Sequence, residues 1–153
     1  MIHVAPASPF DPPVRALLEA SHALMASLYA AEANHYLSLD ALTEPHITLF
    51  AASQGGNTLA TGALARMQGY GEVKSMFTAP EARGHGLADA LLSHIEAEAR
   101  SANLPYLRLE TGTGLDAAHR LYARHGFTPR GPFGAYPAAD TSVFMEKSLH
   151  KNL

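Results

Sequence analysis

A strand that runs through a glycine-rich loop straight into a helix is the feature that most restricts the fold of this 153-residue chain. Residues 72–78 predict the strand, and Leu87 and Leu91 begin an apolar stripe at helical spacing after the loop. Gly84 and Gly86 allow the backbone to turn tightly and to approach a ligand closely. The N-terminus of a helix has unpaired N–H groups and a partial positive charge. The segment therefore predicts an anion site suited to a pyrophosphate.

The rest of the chain predicts an α/β fold in which helices cover a mixed sheet, as a single domain over residues 1–153. The hydrophobic patterns predict strands over 2–4, 47–52, 58–67, 72–78, 106–111, 127–128 and 142–147. They predict helices over 11–30, 84–101 and 116–125, with a short further helix within 31–45. The strand–helix–strand segment 72–111 indicates one parallel crossover in a sheet that is otherwise a meander.

Composition excludes several classes of function. The net charge of -3 argues against a nucleic-acid partner, which usually requires a basic surface. The absence of cysteine excludes disulfides and a cysteine nucleophile. The nine histidines are scattered without ligand spacing, so we expect no metal site. No apolar run approaches the roughly 18 residues that cross a bilayer, and the start lacks a signal-peptide pattern. We therefore expect a soluble cytoplasmic protein without a membrane partner.

Two familiar phosphate-binding motifs do not match the loop at residues 83–88. No Lys-Ser or Lys-Thr pair follows the glycines, as a Walker loop requires. Asp89 stands where the dinucleotide fingerprint has its third glycine. A bare Gly-x-Gly is also compatible with a simple glycine-rich helix start, so the neighbouring segments must decide the function of the loop.

Three segments in the second half of the chain match a known pattern in the same order. Arg83, Gly86 and Ala88 fit the signature Gln/Arg-x-x-Gly-x-Gly/Ala, a strand at 106–111 follows, and the segment 116–127 ends in a Leu-Tyr-x-x-x-Gly-Phe helix end. Across residues 46–149 the chain resembles the GCN5-related N-acetyltransferase (GNAT) superfamily. Four further segments are similar to a bacterial subgroup of these acetyltransferases that has no single defining acceptor: 71–76, 109–112, 132–136 and 142–147.

The resemblance implies a mixed, mostly antiparallel sheet of six or seven strands flanked by about four helices. Its fourth and fifth strands would splay apart, and acetyl-CoA would lie in the gap as co-substrate. The pantetheine arm would pair with the edge of the fourth strand like an added strand. The positions that match the family's cofactor contacts are Met76, Phe77, Thr78, Arg83, Gly84, His85, Gly86, Leu87, Ala88 and Asp116.

The resemblance also implies catalytic residues for transfer of an acetyl group to a small-molecule or peptide amine. Tyr122 matches the tyrosine that protonates the CoA thiolate, although a helix tyrosine often packs against a sheet instead. Glu72 matches a carboxylate that serves as base in some members. Lys74 lies on the same face two residues on, which would favour ionised Glu72 and weaken it as a base. Glu110 and an ordered-water relay remain the alternative bases. Without cysteine, direct transfer is the simpler mechanism.

Two acidic residues depart from the family pattern near the cofactor. Asp116 can still cap its helix, and Asp89 suits the helix dipole but repels phosphate. A second hypothesis is a catalytically silent acyl-CoA-binding module of the same fold that regulates a partner protein. The resemblance also allows a homodimer through an exposed edge of the final strand.

Overall fold

The computed structural model describes residues 1–150 as seven strands and three α-helices joined by turns and loops. The strands are β1 Ile2–Pro6, β2 Ile47–Gln54, β3 Asn57–Met67, β4 Tyr70–Thr78, β5 Tyr106–Gly112, β6 Thr128–Arg130 and β7 Ser142–Ser148. The α-helices are α1 Pro12–Leu28, α2 Leu87–Ser101 and α3 Asp116–Arg124. Single 3₁₀ turns cover Ala31–Ala33, Ala41–Thr43 and Pro80–Ala82.

All seven strands form one sheet in the order β1-β2-β3-β4-β5-β7-β6. Neighbouring strands are antiparallel except β4 and β5, which are parallel because α2 connects them. These two strands pair only at Gly71 with Leu107 and at Glu72 with Arg108. Beyond these pairs they diverge and leave a gap that opens toward their C-terminal ends. The predicted fold class and the splayed strand pair are therefore confirmed.

The sheet is buried on both faces because its strands alternate their side chains between two helical layers. Leu49 of β2 belongs to the buried cluster that contains Val14 and Leu18 of α1. The adjacent residue, Phe50, belongs to the larger cluster that contains Leu91 of α2. Helix α1 and helix α2 thus cover opposite faces, and the gap between β4 and β5 lies between these layers.

Two helix predictions require correction. The structure has three α-helices in residues 1–150 where about four were expected, since 31–45 forms only two isolated 3₁₀ turns. This segment has no sustained helical stripe, and Leu42 anchors it by burial against the α1 layer. Helix α2 begins at Leu87, three residues later than predicted, because Gly84 and Gly86 have φ angles of 83° and 86°. Those left-handed conformations keep the loop out of the helix.

The final strand is not an exposed edge. Strand β7 pairs with β5 along its whole length and with β6 at residues 144–146, so the edges are β1 and β6. The prediction of a free β7 edge is therefore wrong, since the short β6 returns on its outer side. None of the helices within residues 1–150 is long and apolar enough to span a membrane. The same residues contain no cluster of three potential metal-ligating side chains.

Candidate active site

The loop between β4 and α2 presents exposed backbone at the open end of the strand gap. Residues 83–86 are exposed, and Gly86 is the N-cap of α2. The first intrahelical bond runs from the Ala90 amide to the Gly86 carbonyl at 3.0 Å. The amides of residues 87–89 therefore have no partner within the helix and remain available to an anion. The loop Arg83–Ala88 has the geometry expected of a phosphate site.

A glycine substitution tests this loop. Gly84 has a φ of 83° and open space around an added Cβ, and Gly69 in the β3–β4 hairpin has a φ of 86° and the same open space. Alanine should therefore strain both positions alike, by about 1–2 kcal/mol. We expect Gly84→Ala to weaken acetyl-CoA binding roughly tenfold, ~1.4 kcal/mol, because the loop shifts away from the phosphates. Calorimetric titration measures this; an equal loss in the control Gly69→Ala would contradict the assignment.

Asp89, which was expected to repel phosphate, is held by an arginine and a histidine of α3 and its C-terminal end. Its carboxylate accepts two hydrogen bonds from Arg124 at 3.0 and 2.9 Å and contacts His125 Nε2 at 2.8 Å. The Arg124 guanidinium keeps the pKa of the Asp89 carboxyl below its usual range. This pairing offsets the charge of Asp89 near the loop and joins the start of α2 to the end of α3.

A bulge in β4 bends the strand at the gap. Ser75 has a φ of 57°, and the register with β3 shifts between Thr61 and Ala63. The Thr61 hydroxyl donates to the Ser75 carbonyl at 2.9 Å and so fixes the bulge. A bulge bends its strand and increases the local twist. This distortion accompanies the divergence of β4 from β5 and leaves the β5-facing edge of residues 73–78 without a partner strand.

A cavity of about 150 Å³ lies in the gap, between the C-terminal half of α1, the segment 33–36, β4, β5 and α3. Its lining includes Ser21, Met25, Tyr29, Asn34, His35, Tyr36, Lys74, Met76, Glu110, Tyr122 and Thr141. Tyr29 closes one side by donating to the Thr113 carbonyl at 2.7 Å. Its ring passes so close to Gly112 that an added Cβ there would stand 2.0 Å from the tyrosine oxygen. The end of α1 is therefore fitted closely to the end of β5.

Tyr122 lies at the inner end of this cavity. Helix α3 presents its apolar face to the core, so the Tyr122 ring is 6% exposed and packs edge-on against Phe127 with ring centroids 5.8 Å apart. The Phe127 amide bonds back to the Tyr122 carbonyl at 3.0 Å, closing the helix beside Gly126. Burial, and secondarily the charge of Glu110, raises the pKa of Tyr122 well above its ordinary value. The side chain is therefore a phenol at any working pH and can donate a hydrogen bond.

Glu110 lines the same cavity from the middle of β5. Its carboxylate accepts one hydrogen bond, at 2.9 Å, from the Ser142 hydroxyl of β7. Burial raises the pKa of Glu110 above that of an ordinary glutamate, and the Ser142 bond opposes this only in part. A carboxyl with such a pKa is a better proton acceptor than an exposed one. Glu110 and Tyr122 thus place a carboxyl group of raised pKa and a hydrogen-bond donor in one cavity.

Glu72 is 5% exposed and lies beside the cavity rather than in its lining. Its carboxylate accepts hydrogen bonds from Lys74 at 3.1 Å and from the Tyr136 hydroxyl. The predicted contact between Glu72 and Lys74 is therefore present. Tyr136 comes from the loop between β6 and β7, and no local pattern predicts its contact with β4.

The other residues predicted to bind the cofactor lie along the gap and its loop. Met76 lines the cavity, whereas Phe77 and Thr78 pair with Thr61 and Ala60 of β3 and lead into the loop. Asp116 is the first residue of α3, and the N-cap position belongs to the preceding leucine, so the predicted capping role is wrong. Sequence reasoning missed Tyr29, Tyr36 and Asn34, which come from α1 and the irregular segment after it.

Comparisons with known proteins agree with this geometry. The model of the Acetyltransferase (GNAT) family matches residues 14–127. An IAA acetyltransferase of Azospirillum brasilense is 43% identical over 150 residues, covering 97% of this chain and 98% of the relative. A Klebsiella pneumoniae structure assigned as an acyl-CoA N-acyltransferase is 32% identical with a TM-score of 0.82, covering 98% of this chain and 99% of that one.

A more distant structure shows the same fold with the cofactor product bound. The PaiA N-acetyltransferase of Thermoplasma acidophilum, in complex with coenzyme A, has a TM-score of 0.73 at 14% identity and covers 97% of this chain and 99% of its own. The splayed strands, the exposed loop and the family match lead to one conclusion. The chain belongs to the acetyltransferase (GNAT) family, and it is an acyl-CoA-dependent acetyltransferase with acetyl-CoA as co-substrate.

Proposed function

We propose that the protein transfers the acetyl group of acetyl-CoA directly to the amine of a small molecule bound in the 150 Å³ cavity. The observation that carries this proposal is the presence of Glu110 and Tyr122 in one cavity at the strand gap. The amides of residues 87–89, which have no partner within the helix, would hold the pyrophosphate. The free edge of β4 would pair with the pantetheine arm and bring the thioester into the cavity.

Glu110 is the base in this mechanism. An ammonium group with a pKa of ~10 has no free electron pair and must lose a proton before attack, and Glu110 takes this proton directly or through water. The nitrogen then bonds to the thioester carbon, the C–S bond breaks, and CoA leaves as a thiolate. Tyr122 donates its hydroxyl hydrogen to that sulfur as the bond breaks. The second proton that the nitrogen loses returns through solvent to the Tyr122 oxygen, which leaves the amide, the CoA thiol and the restored phenol. Glu72 is the alternative base, although two hydrogen-bond donors already engage its carboxylate.

A panel of acceptors tests the proposal. The purified protein is incubated with acetyl-CoA and phenethylamine, putrescine, phenylalanine or a short peptide, and CoA thiol and acetylated product are measured. IAA is added to the panel because one relative is named for it. We expect CoA and an N-acetylated amine in equal amounts for at least one small amine. CoA release without an acetylated amine, or a preference for IAA over every amine, would contradict the proposal.

A further inference from the structure

The Glu72–Lys74–Tyr136 cluster is a buried polar group that the proposed chemistry does not use. Lys74 donates to Tyr136 Oη at 2.6 Å and to Glu72 Oε2 at 3.1 Å, and its third oxygen neighbour is the His35 carbonyl at 3.5 Å. An ammonium group has three donors, so the protein's own acceptors engage all of them. The Lys74 side chain is 13% exposed although it lines the cavity.

This cluster joins three separate parts of the chain beside the part of the cavity that Lys74 and His35 line. The Tyr136 ring packs against His35 and Phe133 at centroid distances of 5.2 Å and against Phe144 at 5.7 Å. Burial and the nearby Glu72 charge raise the pKa of Tyr136, so its hydroxyl remains a donor to Glu72. The cluster therefore ties β4 to the segment 33–36 and to the β6–β7 loop.

The ion pair between Lys74 and Glu72 also determines the net charge of the cavity lining around a bound acceptor. Among the described residues that line the cavity, the acidic and basic side chains are Glu110, Lys74 and His35. The charge of Lys74 is matched by Glu72 behind it, whereas the hydrogen-bond partner of Glu110 is the neutral Ser142 hydroxyl. The surplus charge of the lining is thus negative, which suits an ammonium group and disfavours a carboxylate beside it.

The remaining lining suits an apolar body attached to that ammonium. Met25, Tyr29 and Tyr36 face the cavity from α1 and the following segment. A thioether and aromatic rings contact an aromatic or aliphatic group favourably. Phenethylamine and phenylalanine share such a body and differ in the carboxylate on the carbon next to the nitrogen.

We propose that Tyr136 and Glu72 are specificity-determining positioning residues that keep Lys74 from the acceptor, so that the substrate class is an apolar primary amine with no carboxylate next to its nitrogen. This inference rests on the proposed function. Loss of the Tyr136 hydroxyl would leave Lys74 with a donor free to turn toward an acceptor carboxylate, and loss of the Glu72 carboxylate would leave the Lys74 charge unmatched beside the cavity. The cavity would then accept carboxylates better and ammonium groups less well.

The test compares binding and turnover of phenethylamine and phenylalanine in the wild type, Tyr136→Phe and Glu72→Gln. Binding is titrated to the CoA-loaded protein at pH 8. We expect the wild type to bind phenethylamine at least about tenfold more tightly than phenylalanine. Both variants should lower this ratio of affinities severalfold. In turnover the change should lie in the KM for the amine, with the KM for acetyl-CoA unchanged. Equal binding of both compounds, binding of neither, or an unchanged ratio in the variants would overturn the inference.

Hydrogen exchange provides a readout that does not depend on any acceptor. Tyr136→Phe retains the ring and removes the hydroxyl, so amides in 33–37 and 133–142 should exchange faster while those in 83–90 stay unchanged. Unchanged exchange in the first two segments would contradict the positioning role. Failure of acetyl transfer to every amine would count against the proposed function alone, because the binding ratio and the exchange pattern can still be measured.

Discussion

Replacing Glu110 with glutamine should lower kcat by about 10²–10³-fold while leaving acetyl-CoA affinity unchanged. The variant keeps the size of the side chain and a bond to the Ser142 hydroxyl but cannot accept the amine proton. Initial rates of CoA release measure kcat, and calorimetric titration measures cofactor affinity. The matched control is Glu98→Gln, an exposed change on α2 away from the cavity, which should leave both quantities unchanged.

The pH dependence separates a base from a merely structural carboxylate. Because burial raises the pKa of Glu110 above 4.5, the acidic limb of kcat should lie at a higher pH than an ordinary glutamate would give. Glu110→Gln should abolish this limb. If Glu72 were the base instead, Glu72→Gln would remove the limb and Glu110→Gln would retain it.

The raised pKa of Glu110 also predicts a change in folding stability, which can be measured without substrate. A carboxyl whose folded-state pKa is raised binds its proton more tightly in the folded than in the unfolded state. Its contribution to stability is full below the unfolded pKa and is lost as the pH rises through the folded value. At pH 8 the ionised Glu110 therefore costs folding free energy, and Glu110→Gln should raise Tm. A lower Tm would show that the carboxylate is well solvated or paired.

Tyr122→Phe should lower kcat by about 10²-fold, with the KM for the amine nearly unchanged. Phenylalanine preserves the edge-on packing against Phe127 and removes only the hydroxyl that would donate to the leaving sulfur. Its control is Tyr106→Phe at the start of β5, where the ring packs against His150 and is not part of the cavity lining.

The readout for Tyr122 includes the leaving group. A phenol that protonates the leaving thiolate matters less when the departing thiol is more acidic. With an acetyl thioester of an acidic aromatic thiol, the kcat of Tyr122→Phe should therefore be closer to that of the wild type than it is with acetyl-CoA. Undiminished turnover of Tyr122→Phe with acetyl-CoA would show that Tyr122 has no part in the mechanism. Solvent would then protonate the CoA thiolate, with Glu110 still acting as the base.

The features that could be predicted from the sequence are those that depend on local residue patterns. The loop around Gly84 and Gly86 sits between a strand and a strong helical stripe, and both glycines have the left-handed φ that their residue type permits. The contact of Glu72 with Lys74 follows from a spacing of two on a strand. The parallel crossover followed from the order strand, helix, strand.

The missed features depend on contacts between distant parts of the chain. Tyr136 meets Glu72 across 64 residues, and Tyr29 meets Thr113 across 84. Neither contact has a periodic signal, because each depends on how an irregular segment crosses the finished sheet. The short helix predicted within 31–45 is absent for the same reason, since burial of a few side chains such as Leu42 fixes the segment without regular backbone bonding.

The most direct test of the central claim, that one cavity brings the cofactor sulfur to Tyr122 and Glu110, is a crystal structure of the protein with CoA. We predict the pyrophosphate against the amides of residues 87–89, the pantetheine arm along the free edge of β4, and the sulfur within hydrogen-bonding distance of the Tyr122 hydroxyl. A sulfur outside the cavity that Glu110 lines would contradict the proposed mechanism.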